Sequence, residues 1–204
     1  MEKQSQIDLI NRVLLGIGEA PLEDDTVIDL IPIGTDVDIA KRTVNKTTRE
    51  VLSQGWFFNM DYDYKLVPDS SGFITVPPNV LRVDFGATEF KYQYSLRNGK
   101  IYDNINHTFV IDKDLIADLI YLVPPEELPV EAYEYIADRA SRKFQEVVIG
   151  AIDLNSILYR SEQESLVNLQ RVQLQSQDYG LIRGSRVHNG YLKKYLYKNK
   201  GRRS

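Results

Sequence analysis

The 204-residue chain contains no cysteine. This excludes disulfides, thiolate nucleophiles and sulfur-ligated metal centres, and it fits assembly in a reducing cytoplasm. Histidine is nearly absent too: His107 and His188 are the only two, and each is expected to face solvent or sit satisfied rather than bind metal. No Gly-x-Ser-x-Gly nucleophile elbow occurs. The glycine-containing stretch Gly180 to Ser185 lacks both the spacing of a phosphate loop and its terminal Lys-Ser/Thr. Asp24-Asp25 and Asp61/Asp63 are acidic pairs without the further ligands of a calcium loop. The longest apolar runs, such as Leu119 to Val123, are far too short to span a bilayer. Residues 1–6 have no apolar segment of the signal-peptide kind. The expectation is a soluble protein with no cofactor, no metal, no membrane partner and no enzymatic site.

What is present is an ordinary globular composition, with 43% hydrophobic and 26% charged residues, enough for one good core. Its charge is divided unevenly. No acidic residue follows Asp178, whereas Arg183, Arg186, Lys193, Lys194, Lys198, Lys200, Arg202 and Arg203 give that end +8. Taking those eight from the 25 basic residues leaves 17 against 29 acidic ones, so the rest of the chain carries −12. An acidic body with a basic end calls for a partner.

Hydrophobic spacing places helices at about 5–16, 36–54, 130–149 and 154–178. The first carries Ile7, Ile10, Val13 and Leu14 on one face. The second is capped by Thr35 or Asp36 and carries Val37, Ala40, Val44, Thr47 or Thr48, and Val51. The third follows Pro129 with Tyr133, Ala137, Ala140, Phe144 and Val147 in a stripe that stops at Gly150. The fourth is rich in Gln, Asn and Glu, and its thin stripe of Leu158, Leu169 and Val172 suits partial burial or burial against a second copy. Between the second and third helices, from about 59 to 123, the period changes to two. Tyr62, Tyr64 and Leu66 alternate, Asp69 to Gly72 signal a turn, and Phe73 to Val76 read as the returning strand. Phe90, Tyr92, Tyr94 and Leu96 alternate into Asn98-Gly99, a type I′ hairpin signal that sets Leu96 opposite Ile101. His107 to Ile111 and Leu115 to Leu122 are further strand candidates. The expected class is α+β: a bundle of N- and C-terminal helices with an inserted antiparallel β region, forming one domain over 1–179, and an extended basic arm over 180–204.

Two segments stand out as candidate sites. Gly55, Trp56, Phe57, Phe58 and Asn59 follow the stop of the second helix, and Trp56, the only tryptophan, is expected to plug the core there. Tyr92, Tyr94 and Tyr102 are read as cross-strand packing rather than as a base-stacking platform. In the arm, basic residues alternate with Tyr191, Leu192, Tyr195, Leu196 and Tyr197. That is too apolar for a bare disordered tail, so it reads as an arm that orders on a partner.

Ordered blocks run along the chain: Asn11 to Pro21, Ser53 to Met60, Leu66 to Asp69, Arg97 to Asp103, Glu127 to Pro129, Tyr133 to Ile136 and Ala140 to Gln145. In that order the set resembles the tail tubular protein A family, the adaptor rings of short-tailed bacteriophages. The resemblance implies a structural virion protein of the tail, assembled in the host cytoplasm. In it, twelve copies would form a ring joining the portal to the tail nozzle, mounting nozzle or tail-fibre proteins and prolonging the channel through which genomic DNA passes. It also implies that Gly55 to Asn59 join the helical and β parts and that Ala140 to Gln145 lie on a long bundle helix. The resemblance does not extend past Tyr179. From charge alone, Arg183, Arg186, Tyr191, Lys193, Lys194, Tyr195, Tyr197 and Lys198 are expected to contact an acidic patch on the portal. The competing expectation is a nucleic-acid-binding module acting through the same basic, tyrosine-bearing tail.

Overall fold

The computed structural model describes residues 5–23, 31–85 and 93–182, with side chains described as far as Ser176. Asp24, Asp25, Phe90, Tyr92, His188 and the arm beyond Ile182 lie outside the described residues. The chain divides into two compact units. One is helical and discontinuous, built from Met1–Gln54 and Val123–Gln173; the strands of the other all lie within Gly55–Leu122. The α+β class expected from the sequence is the class observed.

The helical unit contains α1 (Gln6–Leu15), α2 (Asp36–Leu52), α3 (Val130–Val148) and the start of α4 (Ile152–Ile182). Each of the first two begins at a hydroxyl cap. The Ser5 and Thr35 side chains accept from the N–H of Asp8 and Asp38, each satisfying an otherwise orphaned donor. Asp38 in turn accepts from the Gly34 N–H at 2.9 Å, and this bond, then Arg42, lowers its carboxyl below the usual range. α1, α2 and α3 pack against one another through Leu9, Ile10, Val13, Leu14, Ala40, Val44, Val51, Leu52, Ile136 and Phe144. Burying each of the larger of these side chains stabilises the fold by roughly 1.5–3 kcal/mol. The stripe expected on α3 ends one turn early. Val147 is 72% exposed, one residue before the helix ends at Val148.

The β unit contains β1 (Met60–Leu66), β2 (Val80–Asp84), β3 (Tyr94–Arg97), β4 (Lys100–Asp103) and β5 (Leu115–Tyr121). The antiparallel sheet β1-β5-β2 has β5 at its centre, and β3-β4 form a separate hairpin. That hairpin turns through Asn98 and Gly99, whose φ values of 48° and 72° are those of a type I′ turn, and Leu96 does oppose Ile101. Leu66, Ile74, Val76, Phe85, Tyr94, Ile101, Ile111, Leu115, Ala117 and Leu119 form its core.

Three details differ from the alternation read in the sequence. Phe73 to Val76 do turn back after Asp69, but Ile74 accepts from the Ile101 N–H and Val76 donates to the Gly99 carbonyl, so the segment lies along β4. β1 is bulged at Asp63, which has φ 51°, leaving Tyr64 40% exposed. The segment from His107 to Ile111 is a turn and an isolated bridge at Thr108 rather than a strand. Its geometry comes from Asp103. Only 4% exposed, this carboxylate accepts from the N–H groups of Ile105 and Asn106 and from the side chains of Gln93 and Asn106, at 2.8 to 3.0 Å.

Burial alone would raise the Asp103 pKa, but those bonds outweigh it and hold the group at about 2, against an ordinary 3.8. A carboxyl depressed on folding stabilises the fold above its unfolded pKa, and that stability is lost as pH falls through the folded value. The wild-type melting temperature should therefore drop between about pH 4 and about pH 2 more steeply than that of Asp103→Asn, which is less stable at neutral pH. Parallel melting curves across that window would contradict this account of the turn.

Candidate functional site

The first expected site, Gly55 to Asn59, is brought together in the β unit as a tight junction at the start of the sheet. Gly55 has φ +79°, and a Cβ there would lie 2.8 Å from Met60 Sδ and 2.9 Å from Ile120 Cδ1. Conformation and space both demand glycine. Trp56 follows, 6% exposed, as the core-plug reading expects. Phe57 and Phe58 meet edge to face with ring centroids 5.3 Å apart.

The residue that organises the junction is Asn59, 2% exposed. Its Oδ1 accepts from the Trp56 N–H at 2.8 Å, and its Nδ2 donates to the Tyr121 carbonyl at 2.7 Å. Its backbone carbonyl accepts from the Tyr121 N–H at 2.9 Å. One side chain thus closes the turn and ties it to the end of the central strand. Asparagine suits this position because a single amide supplies both an acceptor and a donor. The sequence placed Asn59 in the junction without revealing this double role.

The second assembly was not read from the sequence at all. Glu162 on α4 has a side chain only 2% exposed. It accepts from Arg139 Nη1 at 2.6 Å and from Arg142 Nε, both on α3. The network extends outward: Arg142 also pairs with Glu146 at 2.5 Å, and Lys143 pairs with Glu50 on α2. Burial alone would lower the Arg142 pKa, but the bonds to Glu162 and the charge of Glu146 raise it. Leu169, fully buried, and Ser165, 7% exposed, flank Glu162 on the same face. The weak apolar stripe of this helix is therefore supplemented by a buried charge with two forked partners.

The block Ala140 to Gln145 gains physical meaning from the same geometry. Ala140 and Phe144 fill the core and Ser141 donates to the Ala137 carbonyl. Arg142 and Lys143 reach the acidic residues of α4 and α2. The side chain of Gln145, fully buried, donates to the Ala151 carbonyl at 2.9 Å, while the Gln145 backbone carbonyl accepts from the N–H groups of Ile149 and Gly150. It fixes the turn between α3 and α4.

Tyr94 packs on Phe85 at 5.5 Å between centroids, and Tyr102 lies between Phe109 at 4.8 Å and the Arg97 guanidinium at 3.9 Å. Both rings are packed in the β unit, but not as the expected aromatic cross-strand pairs: Tyr94 and Tyr102 stand opposite Asp103 and Ser95, and their aromatic partners come from outside the hairpin. Arg183, Arg186, Tyr191, Lys193, Lys194, Tyr195, Tyr197 and Lys198, the expected partner contacts, lie outside the described residues. Among the described residues no group of three or more His, Asp and Glu is arranged to hold a metal ion. No described helix is long and apolar enough to cross a membrane.

A family model described as tail tubular protein matches residues 7–179. That span runs from the second residue of α1 through most of α4 and contains the five described strands, and the chain belongs to this family of structural proteins of the phage tail. A search of curated proteins returns no match.

Two substitutions test these assemblies. Trp56→Ala should cost about 3–5 kcal/mol, the range for emptying a large aromatic site, and wild-type tryptophan emission should be blue-shifted; emission like free indole in water would contradict burial. Glu162→Ala should cost about 3–5 kcal/mol in urea titrations, because two guanidiniums lose their shared counter-charge. A change within experimental error would show that α4 docks without its carboxylate.

Proposed function

We propose that this tail tubular protein is a head-to-tail adaptor: copies close into a ring that joins the portal to the tail nozzle and prolongs the DNA channel. The observation that carries the reading is the outward face of α4. At 3.6 residues per turn Ile152, Tyr159 and Val167 fall within roughly 80° of one another, and they are 83%, 54% and 52% exposed. The Glu162 face is committed to α3, and although the Arg142 guanidinium also lies 5.9 Å from the Tyr159 ring centroid, all three side chains of the second face stay more than half exposed in a single copy. A row of large apolar side chains left in water marks an interaction surface. A ring places such a face against the next copy through a heterologous contact that closes.

The charge division supports the same function. A body of −12 makes a channel wall that repels phosphates, so DNA passes without the counterion release that drives binding. In this role the protein is structural rather than enzymatic, its partners being further copies of itself, the portal, nozzle or tail-fibre proteins, and DNA in transit. Twelve copies would match a twelvefold portal. The basic end favours one competitor, a nucleic-acid-binding module.

Light scattering on the full chain with and without its virion portal separates the two. The adaptor should form or join a ring whose mass falls toward one copy in Tyr159→Glu/Val167→Glu. Any binding of duplex DNA should be weak, indifferent to sequence and steeply lost as salt rises. A protein that stays single with the portal present and selects one DNA sequence at high salt would overturn the adaptor reading.

A further inference from the structure

Within the helical unit α1, α3 and α4 border an open groove of about 470 Å³. Glu131, Glu134 and Asp138 line it at helical spacing along α3, Glu164 faces it from α4, and Arg12 and Arg171 are its cations. Arg12 is already engaged, 2.5 Å from Glu134 and 3.2 Å from Asp138. Glu131 and Glu164 have no ion pair among the described residues. Val130, 58% exposed, and Val172 add apolar surface. The groove thus offers unspent negative charge beside small apolar patches, in a chain whose one strongly basic segment alternates positive charge with tyrosine and leucine.

We propose that this groove receives the basic arm, residues 183–204, of a second copy. The arm carries +8 without a single acidic residue, which complements the carboxylate lining and leaves Tyr191, Tyr195 and Tyr197 to cover Val130 and Val172. At roughly 3.3 Å per residue the segment after Ile182 can extend roughly 70 Å, ample to span a neighbouring groove. The second copy is favoured over the portal by an electrostatic need internal to assembly. Bodies of −12 repel when brought side by side, and one positive arm laid into each neighbour's groove offsets that repulsion at every contact. The assignment deepens the ring reading, on which it rests for the presence of a neighbouring copy, and it names the segment and the receptor that hold neighbours together.

The test uses full-length chains and limited trypsin, read by mass at Arg183 and Arg186. At concentrations where copies associate, wild-type cleavage at these sites should be about tenfold slower than after dilution, since cleavage follows the population of the undocked arm. Glu131→Lys/Glu164→Lys, which alters only the groove, and Lys193→Glu/Lys194→Glu, which alters only the arm, should each cleave at the fast rate. Mixing the two variants should restore protection to the arm of the groove variant, because its intact arm meets the intact groove of the other. Circular dichroism checks folding, and Glu131→Gln/Glu164→Gln replaces the reversal should the latter not fold. Protection unaffected by dilution would place the arm in its own chain. Protection that appears only with added portal would assign the arm to the portal. Fast cleavage of the mixture would mean that groove and arm do not meet, and any of these three results overturns the proposal. Ring mass by light scattering is read separately, so loss of arm protection with rings intact refutes the groove contact and not the adaptor reading.

Discussion

The helical unit depends on how a polar helix is held against it. On the face that α4 turns inward the buried residues are Glu162, Ser165 and Leu169, so the carboxylate supplies much of what apolar burial would otherwise provide. A carboxylate taken out of water costs several kcal/mol unless it is fully paired. Here Arg139 and Arg142 both reach it, and both come from α3, with Lys143 and Glu50 continuing the network to α2. A buried charge with two forked partners accepts fewer alternative positions than an apolar stripe, which can slide. Fixing the rotation of α4 in this way determines which residues face outward. The exposed row of Ile152, Tyr159 and Val167 follows from the placement of Glu162, as does the presentation of Glu164 to the groove.

The β unit solves a different problem, that of beginning a sheet directly after a helix. Gly55 gives the chain a left-handed step with no room for a Cβ, Trp56 is buried immediately, and Asn59 ties the turn to β5 through both ends of its amide. Asp103 does the equivalent for the 103–108 turn by collecting donors from four groups. In both places a short buried polar side chain, hydrogen-bonded to the backbone around it, shapes a turn that the hydrophobic core of the unit does not define.

Much of this was legible in the sequence, for definite reasons. Helix boundaries came within a few residues because Thr35, Pro129, Gly150 and the 3.6-residue spacing act locally. Asn98-Gly99 fixed its hairpin because few residue pairs favour two consecutive positive φ values. What escaped were relations between distant residues. Nothing local in Phe73 to Val76 says that its hydrogen bonds go to β4 rather than β1. β2 (Val80–Asp84) sits just beyond Pro77-Pro78, which masked it as a strand. Glu162 is one of several acidic residues on a helix that reads as solvated, and its burial depends on two arginines about twenty positions earlier. The arm was legible as positive charge alternating with tyrosine and leucine, but what would receive it is a matter of three-dimensional complementarity.

Membership of the tail tubular family, an acidic body, a helix with one committed and one uncommitted face, and a basic end together describe a part made to be repeated around an axis. In the proposed ring, the DNA path, the contacts between copies and the arm would all acquire their sense from that repetition. The most direct measurement is a cryo-electron microscopy reconstruction of the complete tail. The account predicts a closed ring of this chain between portal and nozzle, with the row of Ile152, Tyr159 and Val167 covered by the adjacent copy and the lumen lined by acidic residues. Density for isolated copies on the outside of the tail, with that face of α4 open to solvent, would contradict it.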